Sequence, residues 1–160
     1  MKSTLFFTLL FSILISCKKD VDYQPVQIPC NLTKNLDSCR ILLAGTWTWL
    51  EEKRMNWGQQ GFLYLTPKTE GYTLARQFLN DTARFFRNGR PDSVYTYKVL
   101  LLTEISGTNF PEDYDPVVVF YSLHNGLRDS HVPLKICGNY LVFQYQYVTS
   151  IAGETIWKKQ

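Results

Sequence analysis

The sequence is poor in the side chains that do chemistry. It has only two histidines, His124 and His131, and four cysteines. Two histidines with only Asp129 near them in sequence make a poor tetrahedral set, so no metal centre is expected. Asp129, Ser130 and His131 are triad residue types, but they are consecutive. Strand alternation sends Ser130 and His131 to opposite faces, which removes the contact a nucleophile needs with its base. The acidic stretch Pro111–Pro116 lacks the glycine and the spacing of a calcium loop and reads as a solvated turn. Glu51 shares parity with Trp47 and Trp49, but no second inward acid accompanies it. No enzyme activity and no cofactor are expected. The 17 Lys and Arg are scattered and the formal net charge is only +3, so no phosphate-binding stripe points to a nucleic-acid partner. Internal repeats and low-complexity tracts are absent, and no helix of core length interrupts the strand signals after Gly45.

Aromatic residues are plentiful, at 15% of 160 residues, and apolar residues reach 45%. That is one domain with a real core, and the enrichment favours strands, where flat and branched side chains pack on a pleated surface. The first residues, "MKSTLFFTLLFSILISC", join a positive start at Lys2 to an apolar run too short for a comfortable span, which suits a signal-peptide core. The run ends in Leu14-Ile15-Ser16-Cys17, which resembles the lipobox of bacterial lipoproteins. The resemblance implies cleavage before Cys17, lipid on its thiol and new amine, and stable membrane anchoring by several acyl chains. Lys18 in place of an inner-membrane-retaining Asp implies the outer membrane. The charged cluster that follows is similar to the surface-export signal of Bacteroidetes lipoproteins, which leaves the periplasmic and outer sides both open.

Three segments follow: a signal peptide (1–16), a lipidated cysteine and tether (17–34), and one β-domain (35–160). Residues 35–43 predict a short helical turn capped by Asn35 or Asp37. Strand signals then run at 46–54, 72–80, 82–89, 93–104, 116–124, 130–136, 140–148 and 154–159. The turns between them include Asn80-Asp81 and the strong signal Asn88-Gly89-Arg90-Pro91-Asp92. Residues 55–71 lack clean alternation and read as a long loop with some local structure, leaving eight strands. The fold class is all-β, an antiparallel eight-stranded up-and-down barrel.

"LAGTWTW" (43–49) resembles the Gly-x-Trp signature that opens the first strand of lipocalins. With the strand series and the lipobox, the chain is similar to lipocalin-like lipoproteins of Bacteroidetes over residues 43–159. The resemblance implies a barrel whose closed end holds Gly45 and Trp47, with a basic residue of the last strand over the indole. Lys158 is the first candidate and Lys159 the second. No Thr-Asp-Tyr motif and no C-terminal helix accompany the signature. The other aromatics give the candidate ligand lining: Trp49, Phe78, Tyr97, Tyr121 and Tyr145 inward, with Trp57 and Phe62 as a lid on the loop. Of the remaining cysteines, eight strands bring Cys137 back to the Trp47 end, beside Cys39 or Cys30, whereas a ninth strand at 61–66 would carry it to the opposite end. Cys137 is expected to pair with Cys39 or Cys30, leaving one thiol free. Two functions fit: a membrane-anchored carrier of a small apolar or lipid-like molecule, and a filled barrel that serves as a platform for protein or glycan contacts. They differ in whether the barrel is hollow.

Overall fold

The computed structural model describes residues 23–55, 61–106, 115–146 and 152–160. A short helix, α1 (Leu36–Leu43), precedes strands β1 (Gly45–Met55) and β2 (Phe62–Leu65), a helical turn α2 (Pro67–Glu70), and strands β3 (Leu74–Leu79), β4 (Thr82–Arg87) and β5 (Arg90–Leu101). A second helical turn, α3 (Thr103–Ser106), leads to β6 (Pro116–Ser122), β7 (Arg128–Cys137), β8 (Tyr140–Gln146) and β9 (Ala152–Lys159). Every pairing is antiparallel, and β9 returns to pair with β1, closing an eight-stranded up-and-down barrel. Closure leaves no long unpaired edge for another chain to extend.

The ninth strand, β2, corrects the reading of 55–71 as a loop. Its effect on topology is also different from the expected one. β2 pairs with Glu52–Met55 of β1, while β3 pairs with Gly45–Thr48, on the same edge and in the same sense. The two are successive stretches of one descending path, interrupted by α2. Pro67 at the helix start, the reciprocal Thr66–Thr69 capping box and left-handed Gly71 at its end produce that interruption. The later strands therefore keep the polarity of an eight-strand count, and Cys137 still reaches the end where β1 begins. Local signals elsewhere hold. Asn88-Gly89 turns the β4–β5 hairpin with both residues at positive φ, and Asn35 caps α1 through Ser38 N–H at 2.9 Å.

Directly opposed residues share a face, so register assigns the barrel interior. Trp47 and Trp49 oppose Lys159 and Trp157, Phe78 opposes Gly45 and Ala83, and Tyr97 opposes Phe120. With Val99, Val118, Leu134, Leu141 and Phe143 they form the core. Val117, Val119, Val142 and Ile156 alternate with these on the outer face, yet are buried too. A strap formed by the chain before α1 accounts for part of that cover. It starts at Tyr23 beside β1, ends in a Cys30–Cys137 disulfide, and Thr33 bridges Ile136. Ile156 and Val142 lie between its two attachment points. The disulfide realises one of the two expected pairings, and Cys39 is the free, buried thiol.

Gly45 shows why the first strand opens on glycine. Its φ is +129°, and a Cβ there would lie 2.6 Å from Cε of Lys159. Gly45→Ala is expected to cost about 1–3 kcal/mol, the usual cost of one residue held in a disfavoured conformation. Urea unfolding of the variant and the parent measures it, and equal midpoints would refute the assignment.

Candidate functional site

The closed end is built from α1 outward. A helix leaves its last carbonyls without partners. Here the Trp47 indole N–H donates to the Leu43 carbonyl at 2.7 Å, and the Lys159 ammonium donates to the Leu42 carbonyl at 3.1 Å. The same ammonium lies 5.2 Å from the Trp47 ring centroid. The residue over Trp47 is therefore Lys159, not Lys158. Lys158 opposes Thr48 and Tyr140 on the outer face and is exposed. Alternation permits only one of two neighbouring lysines to face inward. Cys39 and Leu43 are wholly buried against this plug, and burial pushes the Cys39 thiol up to about 11. A thiol held protonated there is a poor nucleophile at neutral pH.

The upper interior holds a residue that the sequence reading passed over. Arg76 opposes Trp47 and Phe85, so it points into the barrel. Its guanidinium lies 4.6 Å from the Phe85 ring centroid, 4.6 Å from that of Trp157 and 4.9 Å from that of Phe143. An arginine is suited to such a place because its planar, weakly hydrated cation stacks on aromatic faces. The period-two pattern Tyr72, Leu74, Arg76, Phe78 already put it on the apolar face, which was the available signal. Arg76, Phe85, Leu74, Trp157 and Asp92 border a cavity of about 160 Å³ at the rim between β3, β4 and β5. Trp49 is inward as expected and fully enclosed, stacked on Tyr72 at 5.7 Å. Its indole N–H is buried with no hydrogen-bond partner among the described residues.

The other lining candidates divide. Phe78 is buried at the centre of the core and meets Tyr97 edge-on at 5.1 Å. Burial, then the Asp81 carboxylate, raise the Tyr97 phenol above its ordinary value. Tyr121 opposes Thr96 on the outer face, beside Lys98 and a surface depression of about 390 Å³, so it does not line the interior. The reason lies in "PVVVF": Phe120 faces in and Tyr121 out, but burial of both faces removed the alternation that would have said so. Phe62 opposes Met55 on the outer face of the β1–β2 ribbon, with Lys53 over its ring at 4.1 Å, and is no lid. Tyr145 opposes Gly153 by register, while its side chain lies outside the described residues, as do Trp57 and the lipidation candidate Cys17.

Glu51 faces outward. A bulge at Leu50 shifts the register, so that Trp49 opposes Trp157 but Glu51 opposes outward-facing Ile156. The strap covers the carboxylate, which accepts hydrogen bonds from the Tyr23 hydroxyl and, at 2.8 Å, from Val26 N–H. Burial, then the bond to Glu51 and its charge, hold the Tyr23 phenol well above its usual range. The same bulge turns Glu52 inward, where it pairs with Arg54 at the barrel mouth. Ser130 opposes inward-facing Phe120 and His131 opposes outward-facing Val119, so the two point apart. Burial and Arg128 lower the His131 pKa. Among the described residues no three His, Cys, Asp or Glu come together as a metal site. No protein-family model, curated protein or solved structure matches the chain.

Proposed function

We propose that the protein is a membrane-anchored, lipocalin-like lipoprotein that takes a small amphiphile at the barrel mouth. Its lipid is on Cys17, and the outer membrane is its home by the Lys18 rule given above. One observation carries the binding reading: the Arg76 guanidinium, stacked among Phe85, Phe143 and Trp157, borders a rim cavity. A small apolar group fits beside Leu74 and Phe85, and a polar end that hydrogen-bonds with charged side chains fits the rim where Arg76 and Asp92 stand. At about 160 Å³ the cavity is smaller than a drug-sized pocket, so it suits a small molecule or one end of a longer one.

The test starts with solvent extraction of purified protein and mass spectrometry of what comes off. Compounds of that class are then titrated against tryptophan fluorescence. Arg76→Met keeps most of the packed stem and removes the charge. It should weaken binding roughly ten- to a hundred-fold, from about 1.5–3 kcal/mol for a hydrogen bond to a charged group. No extracted compound and no fluorescence change with any amphiphile would leave the platform reading. The observation favouring that reading is the packed aromatic interior below Arg76, where Phe78, Phe143, Phe120 and Tyr97 are in ring contact.

A further inference from the structure

We infer that the free end of the β1–β2 ribbon is a membrane-docking surface, pressed into the headgroup region of the bilayer that holds the Cys17 lipid. The inference rests on the anchor reading above. β1 pairs with β2 over Glu52–Met55, and beyond Lys53, where the β9 pairing stops, Arg54 and Met55 continue with Leu63 and Phe62 as a two-stranded ribbon. Near its tip Met55 and Phe62 stand on one face and Leu63 on the other. Phe62 is 49% exposed and Leu63 46%, so each face carries an exposed apolar side chain beside a basic one, Lys53 with Phe62 and Arg54 with Leu63. Apolar side chains gathered on a soluble surface mark a contact site.

The strap says what that contact is. The Tyr23 ring packs on Tyr64 of β2 at 5.3 Å, and its hydroxyl is held by Glu51. The described chain therefore begins against this same ribbon. Only residues 18–22 separate Tyr23 from Cys17, and fully extended chain covers about 3.5 Å per residue. The acylated cysteine then lies within roughly 20 Å of the ribbon root. Acyl chains at Cys17 leave a bilayer surface as the nearest large apolar partner. Lys53, over the Phe62 ring, is placed to meet anionic headgroups while the ring enters the interface. Exposure alone does not make the argument. Ile41 is more exposed, at 76%, but sits on α1 at the other end of β1, about 30 Å away along an 11-residue strand.

The experiment uses the mature protein, purified from membranes and reconstituted in vesicles of phosphatidylethanolamine and phosphatidylglycerol. Phe62→Cys, Leu63→Cys and Ile41→Cys each receive an environment-sensitive fluorophore, and intact mass reports the N-terminus of each. The expected result is an acylated Cys17, with blue-shifted, brighter emission at 62 and 63 that brominated lipids quench. The probe at 41 should read as water. An acylated protein whose three probes all read as water overturns the docking surface and leaves the anchor standing. An unacylated N-terminus overturns both. Blue-shifted emission at 62 and 63 that brominated lipids fail to quench, and that persists without vesicles, means a protein covers the tip. That too overturns the inference.

Discussion

Trp47→Ala is expected to lower stability by about 3–5 kcal/mol, the range for large-to-small changes at buried aromatic sites. Three losses combine. The indole is wholly buried at the closed end, so its removal leaves a cavity that the surrounding strands cannot collapse into. The Leu43 carbonyl at the end of α1 loses its donor at 2.7 Å. The Lys159 ammonium loses the ring beneath it, though it keeps the Leu42 carbonyl. Trp47→Phe narrows these terms, because it keeps much of the apolar volume and a ring beneath Lys159 while removing the N–H. It should cost less than Trp47→Ala but more than nothing, with about 1 kcal/mol for the lost hydrogen bond alone. Urea unfolding followed by far-UV circular dichroism gives both numbers. Equal stability of Trp47→Ala and the parent would refute the plug as described.

Removing the disulfide is expected to cost a similar amount. Cys30 and Cys137 are 107 residues apart in sequence, so the bridge closes most of the domain into one loop. Chain-entropy arguments give about 4–5 kcal/mol for a loop of that length, and losses on removing native bridges run at about 2–5 kcal/mol. The double variant Cys30→Ala/Cys137→Ala also unties the strap from the end of β7. The strap then depends on the Thr33–Ile136 bridge and on the hold of Glu51 on Tyr23 and Val26. We expect both a lower unfolding midpoint and new protease cleavage within residues 23–30. A peptide map of the parent should find Cys30 linked to Cys137 and Cys39 reduced. A map joining Cys39 to either partner would refute this arrangement, and an unchanged midpoint would refute the energetic argument.

Much of the barrel was legible in the sequence because its signals are local. Alternation in "YTLARQF", the Asn88-Gly89 turn and the apolar spacing need only a strand and its neighbour to take effect. The Gly45-Trp47 pair was legible as a signature, and the strand polarity that brings Cys137 to the Trp47 end followed from counting turns. Even the choice between Lys158 and Lys159 was narrowed to neighbours. Choosing between them took the register of β9 against β1, which is set by pairing across more than 100 residues.

Tertiary structure decided the rest, for reasons that alternation cannot encode. A single bulge at Leu50 inverted the parity of Glu51, because one extra residue on one strand moves everything beyond it to the other face. The strap then buried what that inversion exposed, and so made an outward carboxylate resemble an inward one. Double-sided burial of β6 erased the pattern that places Tyr121 outside. β2 lacked alternation because its exposed half, Phe62 and Leu63, runs beyond the β9 pairing while its other half, Tyr64 and Leu65, packs on the strap and the core. Arg76 was visible as a charge on an apolar face, but its three ring partners come from β4, β8 and β9. The sequence determined by itself that this chain closes a small antiparallel barrel. Only the closed barrel decided what stands at its mouth, because that site exists where strands distant in sequence meet.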